Sequence, residues 1–169
     1  MEYAVYRKWK IVLFGHQIIT NYVNITIGSN FNIGPFCQLL AQGEPGKAKI
    51  VIGNRVALNF NVMINADLGG EIIIGNNVLI GPYTIMRATN HNFDNPKIPI
   101  HEQGHKPGKI ILEDDVWIGS NVIILPNVKI GQSAIIGAGS VVTKSIPAMA
   151  IAAGVPAKVI SMRKLSIDG

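Results

Sequence analysis

From residue 112 onward a bulky aliphatic side chain returns at every sixth position: Leu112, Ile118, Ile124, Ile130, Ile136 and Val142. A second, mostly smaller column follows four residues behind each of these, at Val116, Val122, Val128, Ala134, Ser140 and Ile146. Gly119, Gly131 and Gly137 directly follow three members of the first column. A helix repeats its apolar positions near 3.6 residues and a simple strand near 2, so a period of six denotes a short strand plus a turn, repeated. The same phrases recur upstream in shifted registers. Ile33-Gly34-Pro35-Phe36 matches Ile80-Gly81-Pro82-Tyr83, and Ile52-Gly53-Asn54-Arg55-Val56 matches Ile74-Gly75-Asn76-Asn77-Val78. The pattern predicts an all-β solenoid in which each inward Ile or Val packs on its equivalent one coil away and the ends need caps.

Three interruptions shift the phase of the hexads: Leu40 to Lys49, Ala66 to Glu71, and Arg87 to Lys109. The third is long and polar, carrying Asn90-His91-Asn92-Phe93-Asp94-Asn95-Pro96 and then His101 and His105. Because the core columns are already committed to stacking, such a loop is where chemistry is expected. The expected organisation is one domain: an N-terminal cap over 1–22, a β-helix over 23–146 with a loop insertion at 87–109, and a C-terminal cap over 147–169. Ala157, Val159, Ile160 and Met162 fall at a spacing that suits a short closing helix.

Composition narrows the class. The chain has 169 residues, 48% of them apolar, enough for one ordinary core, and its 15% of charged residues lies well below the usual share. The net charge of +5 suits a phosphate-bearing ligand or an anionic surface without identifying either. Cys37 is the single cysteine, so an intramolecular disulfide is excluded, and a reducing, cytoplasmic compartment is expected. Cys37 lies four after Ile33, where a small core residue belongs. The N-terminal apolar run, Ile11 to Phe14, is far too short to span a membrane. A basic, aromatic start is compatible with peripheral contact to an anionic membrane surface, and a packed capping segment is the simpler expectation. No nucleic-acid partner is expected.

The run Val116-Trp117-Ile118-Gly119-Ser120-Asn121-Val122, followed by Ile136-Gly137-Ala138-Gly139-Ser140-Val141-Val142-Thr143-Lys144 and Ala153-Gly154-Val155-Pro156-Ala157-Lys158-Val159-Ile160, resembles the left-handed β-helix hexapeptide-repeat acyltransferases. It is most similar to the sugar O-acetyltransferases, including the galactoside and maltose enzymes and those decorating surface polysaccharides. The left hand comes from the resemblance alone, since crossovers between parallel strands are right-handed in about 98% of cases.

The resemblance implies roles at matching positions. His91, in Asn90-His91-Asn92, would be the general base on the acceptor hydroxyl, a task suited to a neutral imidazole. Asn59 would hold the acceptor sugar, although an outward Asn also serves turn chemistry. Trp117 and Ser120 would line the acetyl-CoA channel, with a donor at Ser120 stabilising the oxyanion. Trp117 equally suits a subunit contact. Ala138, Thr143 and Lys144 would lie beside the pantetheine arm and nucleotide phosphates, with Lys158 on the same phosphates. Ser161 stands where the family often has another basic residue, so a solvated basic tail with Arg163 and Lys164 competes for that role.

The resemblance therefore implies acetyl transfer from acetyl-CoA to a sugar or polysaccharide hydroxyl, without a covalent enzyme and without a metal. It also implies a homotrimer with active sites between subunits, which fits the shape, because a straight prism offers no deep cleft of its own. Amino-sugar N-acetyl transfer on the same fold is the alternative. A zinc site built from His91, His101 and His105 would leave the acyltransferase motifs unexplained, and a non-catalytic repeat scaffold would use the coil faces only for binding.

Overall fold

In the computed structural model, which describes residues 16–43 and 47–164, the chain winds through three parallel sheets. Sheet 1 stacks six strands: Ile18–Thr20, Gln38–Leu40, Met63–Asn65, Ile85–Arg87, Ile123–Ile124 and Val141–Val142. Sheet 2 stacks five, namely Ile25–Ile27, Lys49–Ile52, Glu71–Ile74, Lys109–Leu112 and Val128–Ile130, and Ile146 bridges Ile130 in the sixth place. Sheet 3 stacks Asn32–Ile33, Ala57–Leu58, Leu79–Ile80, Trp117–Ile118, Ile135–Ile136 and Ala150–Ala153. The result is an all-β solenoid of about six coils, and among the described residues the helical elements are two short 3₁₀ turns, Tyr22–Asn24 and Ile100–Glu102. Among the described residues no helix is long and apolar enough to cross a membrane.

Both six-residue columns point inward. Leu112, Ile118, Ile124, Ile130, Ile136 and Val142 are buried, as are Val116, Val122, Val128, Ala134, Ser140 and Ile146. Each buried Ile, Leu or Val contributes about 1.5–3 kcal/mol of hydrophobic stabilisation before the entropy of ordering is counted. Cys37 belongs to this core. Its Sγ lies 2.8 Å from the Asn59 carbonyl, and desolvation pushes its pKa up, which keeps it a protonated packing residue.

An uninterrupted coil takes 18 residues, the step from Ile110 to Val128. Earlier steps are longer: Ile25 to Ile50, Ile50 to Ile72, and Ile72 to Ile110. In each case the extra residues lie between a sheet 1 strand and the following sheet 2 strand, at the corner where sheet 1 hands over to sheet 2.

Two expectations are corrected at the ends. Ile18–Thr20, inside the stretch read as an N-terminal cap, already pairs with Gln38–Leu40 as the first strand of sheet 1; residues 1–15 of that stretch, with its basic and aromatic start, lie outside the described residues. The expected C-terminal helix is instead a strand, Lys158–Met162, paired antiparallel with Ala150–Ala153. The last coil ends in an open strand edge whose backbone groups need partners, and an extended Val159-Ile160 segment supplies them where a helix would not.

Candidate active site

The three long connections meet at the corner between sheets 1 and 2 and hold one another. The Leu68 N–H donates to the Gln42 carbonyl, Asp67 Oδ1 accepts from the Gln42 N–H, and the buried Thr89 hydroxyl donates to the Asp67 carbonyl at 2.7 Å. From this platform Thr89–His91 leaves the solenoid and pairs antiparallel with His105–Pro107 as a separate two-stranded sheet. The hairpin is closed just beyond the histidines, where the Asn92 N–H donates to the Gly104 carbonyl and Asn92 Nδ2 to the Gln103 carbonyl. The Gln103 side chain in turn bonds Asn95 and Ile98, fixing the tip. His91 is exposed, and it faces His105 in register, with ring centroids 4.2 Å apart and planes tilted by 44°.

The corner between sheets 3 and 1 carries a different constellation. The residue after the core position of the first five sheet 3 strands is Gly34, Asn59, Gly81, Gly119 or Gly137, so Asn59 is the exception among these five. Glycine is needed there because the coils approach closely: a Cβ on Gly81 would lie 2.7 Å from both the Gly119 carbonyl carbon and the Ser120 nitrogen. The next position is Pro35, Phe60, Pro82, Ser120 or Ala138. Prolines have no N–H, and the Phe60 N–H is capped by Asn59 Oδ1 at 2.8 Å. At the equivalent place between sheets 2 and 3, side chains cap the backbone in succession: Ser29 N–H by Asn54, Asn54 N–H by Asn76, Asn76 N–H by Asp114 and Gln132 N–H by Glu113. The Ser120 and Ala138 N–H groups have no partner among the described residues, as is true of Asp114 and Ala148 at the corner between sheets 2 and 3. An unsatisfied donor at a corner is what a developing oxyanion or a ligand amide would use.

The expected site residues fall into two groups. Asn59, Ser120 and Ala138 lie at the corner between sheets 3 and 1, with Trp117 exposed on sheet 3 beside them. Trp117 and Asn59 line one groove together with Asn32, Ala57 and Leu79. Lys158 joins this group, because Ala157 donates its N–H to the Val141 carbonyl at the start of the last sheet 1 strand. His91, Thr143 and Lys144 lie at the opposite edge of sheet 1. Passing from Ser120 to Pro126 crosses that sheet, and at about 3.3 Å per residue the two edges are separated by roughly 15–20 Å. One chain thus does not bring His91 and Ser120 to a common atom.

Sequence reasoning missed the partner of His91. His105 appeared only as a metal-ligand candidate, and the signal for its true neighbour is hairpin register, which places His91 opposite His105 once the Asn92–Gly104 closure is known. His101 instead lies beside Glu102, and among the described residues no three His, Cys, Asp or Glu side chains are grouped so as to hold a metal. The Phe60–Tyr83 edge-to-face pair beside Asn59, with centroids 5.1 Å apart, was also not foreseen.

Residues 109–144 match the bacterial transferase hexapeptide (six repeats) family. The galactoside O-acetyltransferase of Escherichia coli K12 is 42% identical over 118 residues, 67% of this chain and 54% of that protein. The WbbJ protein of the same organism, named for O-acetyl transfer in lipopolysaccharide biosynthesis, is 32% identical over 162 residues, covering 92% of this chain and 80% of its own length. The crystal structure of AntD, an N-acyltransferase from Bacillus cereus in complex with dTDP and 3-hydroxybutyryl-CoA, superposes with a TM-score of 0.79 at 28% identity, covering 97% of this chain and 89% of AntD. The chain belongs to the hexapeptide-repeat transferase family. It spans about half the length of the galactoside O-acetyltransferases it matches.

Proposed function

We propose that this protein transfers an acetyl group from acetyl-CoA to a hydroxyl of a sugar, in the modification of a surface polysaccharide. The single observation that carries this is the pair of groups with complementary tasks: the solvent-exposed His91 imidazole and the uncapped Ser120 N–H. His91 takes the proton of the acceptor hydroxyl, the oxygen attacks the thioester carbonyl, the Ser120 donor holds the oxyanion, and the coenzyme A thiolate leaves. Asn59 has its Oδ1 committed to the Phe60 N–H, which leaves Nδ2 to donate to the acceptor. Trp117, Ala138, Thr143, Lys144 and Lys158 bind the donor, the lysines through its phosphates.

Because His91 and Ser120 lie on opposite edges of sheet 1, the site is completed between copies of the chain in a homotrimer, His91 from one and Ser120 from its neighbour. Light scattering should then give a mass near three times 18.2 kDa. His91→Ala should fold normally and lose about two to four orders of magnitude in turnover. Mixing it with an inactive Ser120→Pro variant, which lacks the N–H donor, should restore partial activity, because some interfaces then hold both intact groups. A monomeric mass in an active preparation rules out the shared site, and a His91→Ala variant with more than about a tenth of wild-type turnover rules out the base.

AntD favours a second reading, transfer to an amino group. Thiol release from acetyl-CoA with matched hydroxyl and amino sugars separates the two, and preference for the amine would replace the hydroxyl assignment.

A further inference from the structure

Nothing in the transfer chemistry asks for a second histidine, yet the hairpin delivers one. Thr89 opposes Pro107, Asn90 opposes Lys106, and His91 opposes His105, which puts the two imidazoles on one side of a two-stranded ribbon. Directly opposed side chains on such a ribbon are close enough to restrict each other's rotamers. Here the ring centroids are 4.2 Å apart at a 44° tilt, so the rings are in van der Waals contact over their faces rather than linked by a nitrogen-to-nitrogen hydrogen bond along their edges. The burial of the pair is unequal. His105 is partly buried, while His91 is exposed on its other side.

The anchoring of the ribbon is also unequal in a useful way. Its base is tied to the solenoid through the Gly108 N–H, which donates to the Ala88 carbonyl at 2.7 Å, and through buried Thr89. Its far end is closed by the two Asn92 bonds, and Gly104 takes the left-handed conformation (φ 74°) that lets His105 turn back toward His91. The backbone on both sides of the pair is therefore held, whereas an exposed imidazole on a two-stranded ribbon would by itself sample several rotamers. A general base that must meet a hydroxyl within about 3 Å loses rate whenever it rotates away.

We infer that His105 is a positioning residue: its ring is the surface against which the His91 imidazole is held in the orientation for proton abstraction. This rests on His91 being the base. It makes a specific demand, that a flat ring of similar size at 105 does the same work without a titratable nitrogen.

The test uses the full chain, with acetyl-CoA alone as the probe and water as acceptor, so that no acceptor need be known. Thiol release is measured for His105→Ala, His105→Phe and His91→Ala, and the histidine Hε1 resonances are recorded for all of them. His105→Ala should lower kcat about tenfold with the KM for acetyl-CoA within about twofold of wild type, and His105→Phe should restore at least half of the loss. The His91 Hε1 resonance should lose its ring-current shift in His105→Ala and keep one in His105→Phe. Unchanged kcat in His105→Ala overturns the inference, and so does a His105→Phe variant as slow as His105→Ala, which would assign the effect to an imidazole nitrogen. Failure of the base itself is read separately: His91→Ala would then retain thiol release, and the resonances alone decide whether the rings are packed.

Discussion

At the corner between sheets 3 and 1 every coil turns in the same number of residues, from Ile33 to Gln38, Leu58 to Met63, Ile80 to Ile85, Ile118 to Ile123 and Ile136 to Val141. At the other edge of sheet 1, three coils run on before turning, and one of them, between Arg87 and Lys109, builds a hairpin. The first corner is uniform because its glycines let successive backbones touch. The residue two places beyond the glycine position takes a positive φ in each of these coils, at Phe36, Asn61, Tyr83, Asn121 and Gly139. Such a corner can change its chemistry only through single side chains, as at Asn59, or through a missing cap, as at Ser120. The second corner faces no such packing limit, and whole segments carrying His91 can be placed there. On the function proposed above, this repeat architecture keeps the donor on the regular edge and the base on the irregular one, and a second copy would bring them together.

The sharpest way to break this contrast is to add one methyl group at each corner. Gly81→Ala forces a Cβ against the next coil's backbone and should lower the unfolding free energy by about 1–3 kcal/mol. Gly104→Ala, where a Cβ meets nothing nearer than 3.9 Å, carries only the left-handed backbone cost of about 1 kcal/mol. Urea melts of both variants check this, and equal losses would mean that the first corner is not packing-limited.

Cofactor binding probes whether both edges serve one ligand. Lys144→Ala and Lys158→Ala, one at each edge, should each raise the KM for acetyl-CoA several-fold with little change in kcat, because phosphate contacts far from the thioester bind ground and transition states alike. An unchanged KM in either variant removes that edge from the nucleotide site.

Asn59→Gly installs the residue type found at Gly34, Gly81, Gly119 and Gly137. Its stability should fall by no more than about 1 kcal/mol, the conformational cost of glycine, while the acceptor KM rises and the acetyl-CoA KM stays put. Calorimetry alongside initial-rate kinetics measures both, and an unaltered acceptor KM would leave Asn59 with turn chemistry alone.

The smallest effect lies in the charge ladder on sheet 2. Glu71 is held below its ordinary pKa, first by its hydrogen bond from Lys109, at 2.8 Å, and further by Lys49. A lowered carboxylate pKa adds stability that is present above the unfolded-state value and is lost as the pH falls through the folded-state value. Glu71→Gln should therefore cost about 0.5 kcal/mol at neutral pH, typical of a partly exposed pair, with the difference shrinking as the pH falls below 4.5. Melts at pH 7 and pH 3.5 test the sign, and a difference that grows in acid contradicts it.

The period of six, the inward columns and the places where the coil lengthens could all be read from residue order, because nearest-neighbour stacking imposes the same demand on every coil. The motifs around His91, Trp117, Ser120 and Lys144 were legible for the same reason, being departures from a regular background. Residue order did not decide the end of the chain. Ala157 to Met162 has helical spacing, and only the open edge left by Ala150–Ala153 made it a strand. Nor could it decide which corner each candidate occupies, since that depends on how many residues have been inserted before it. The separation of His91 from Ser120 by one sheet, the capping of some corner N–H groups and not others, and the contact of His91 with His105 all arise between residues far apart in the chain. Such contacts depend on coil stacking and hairpin register, so tertiary structure alone settled them.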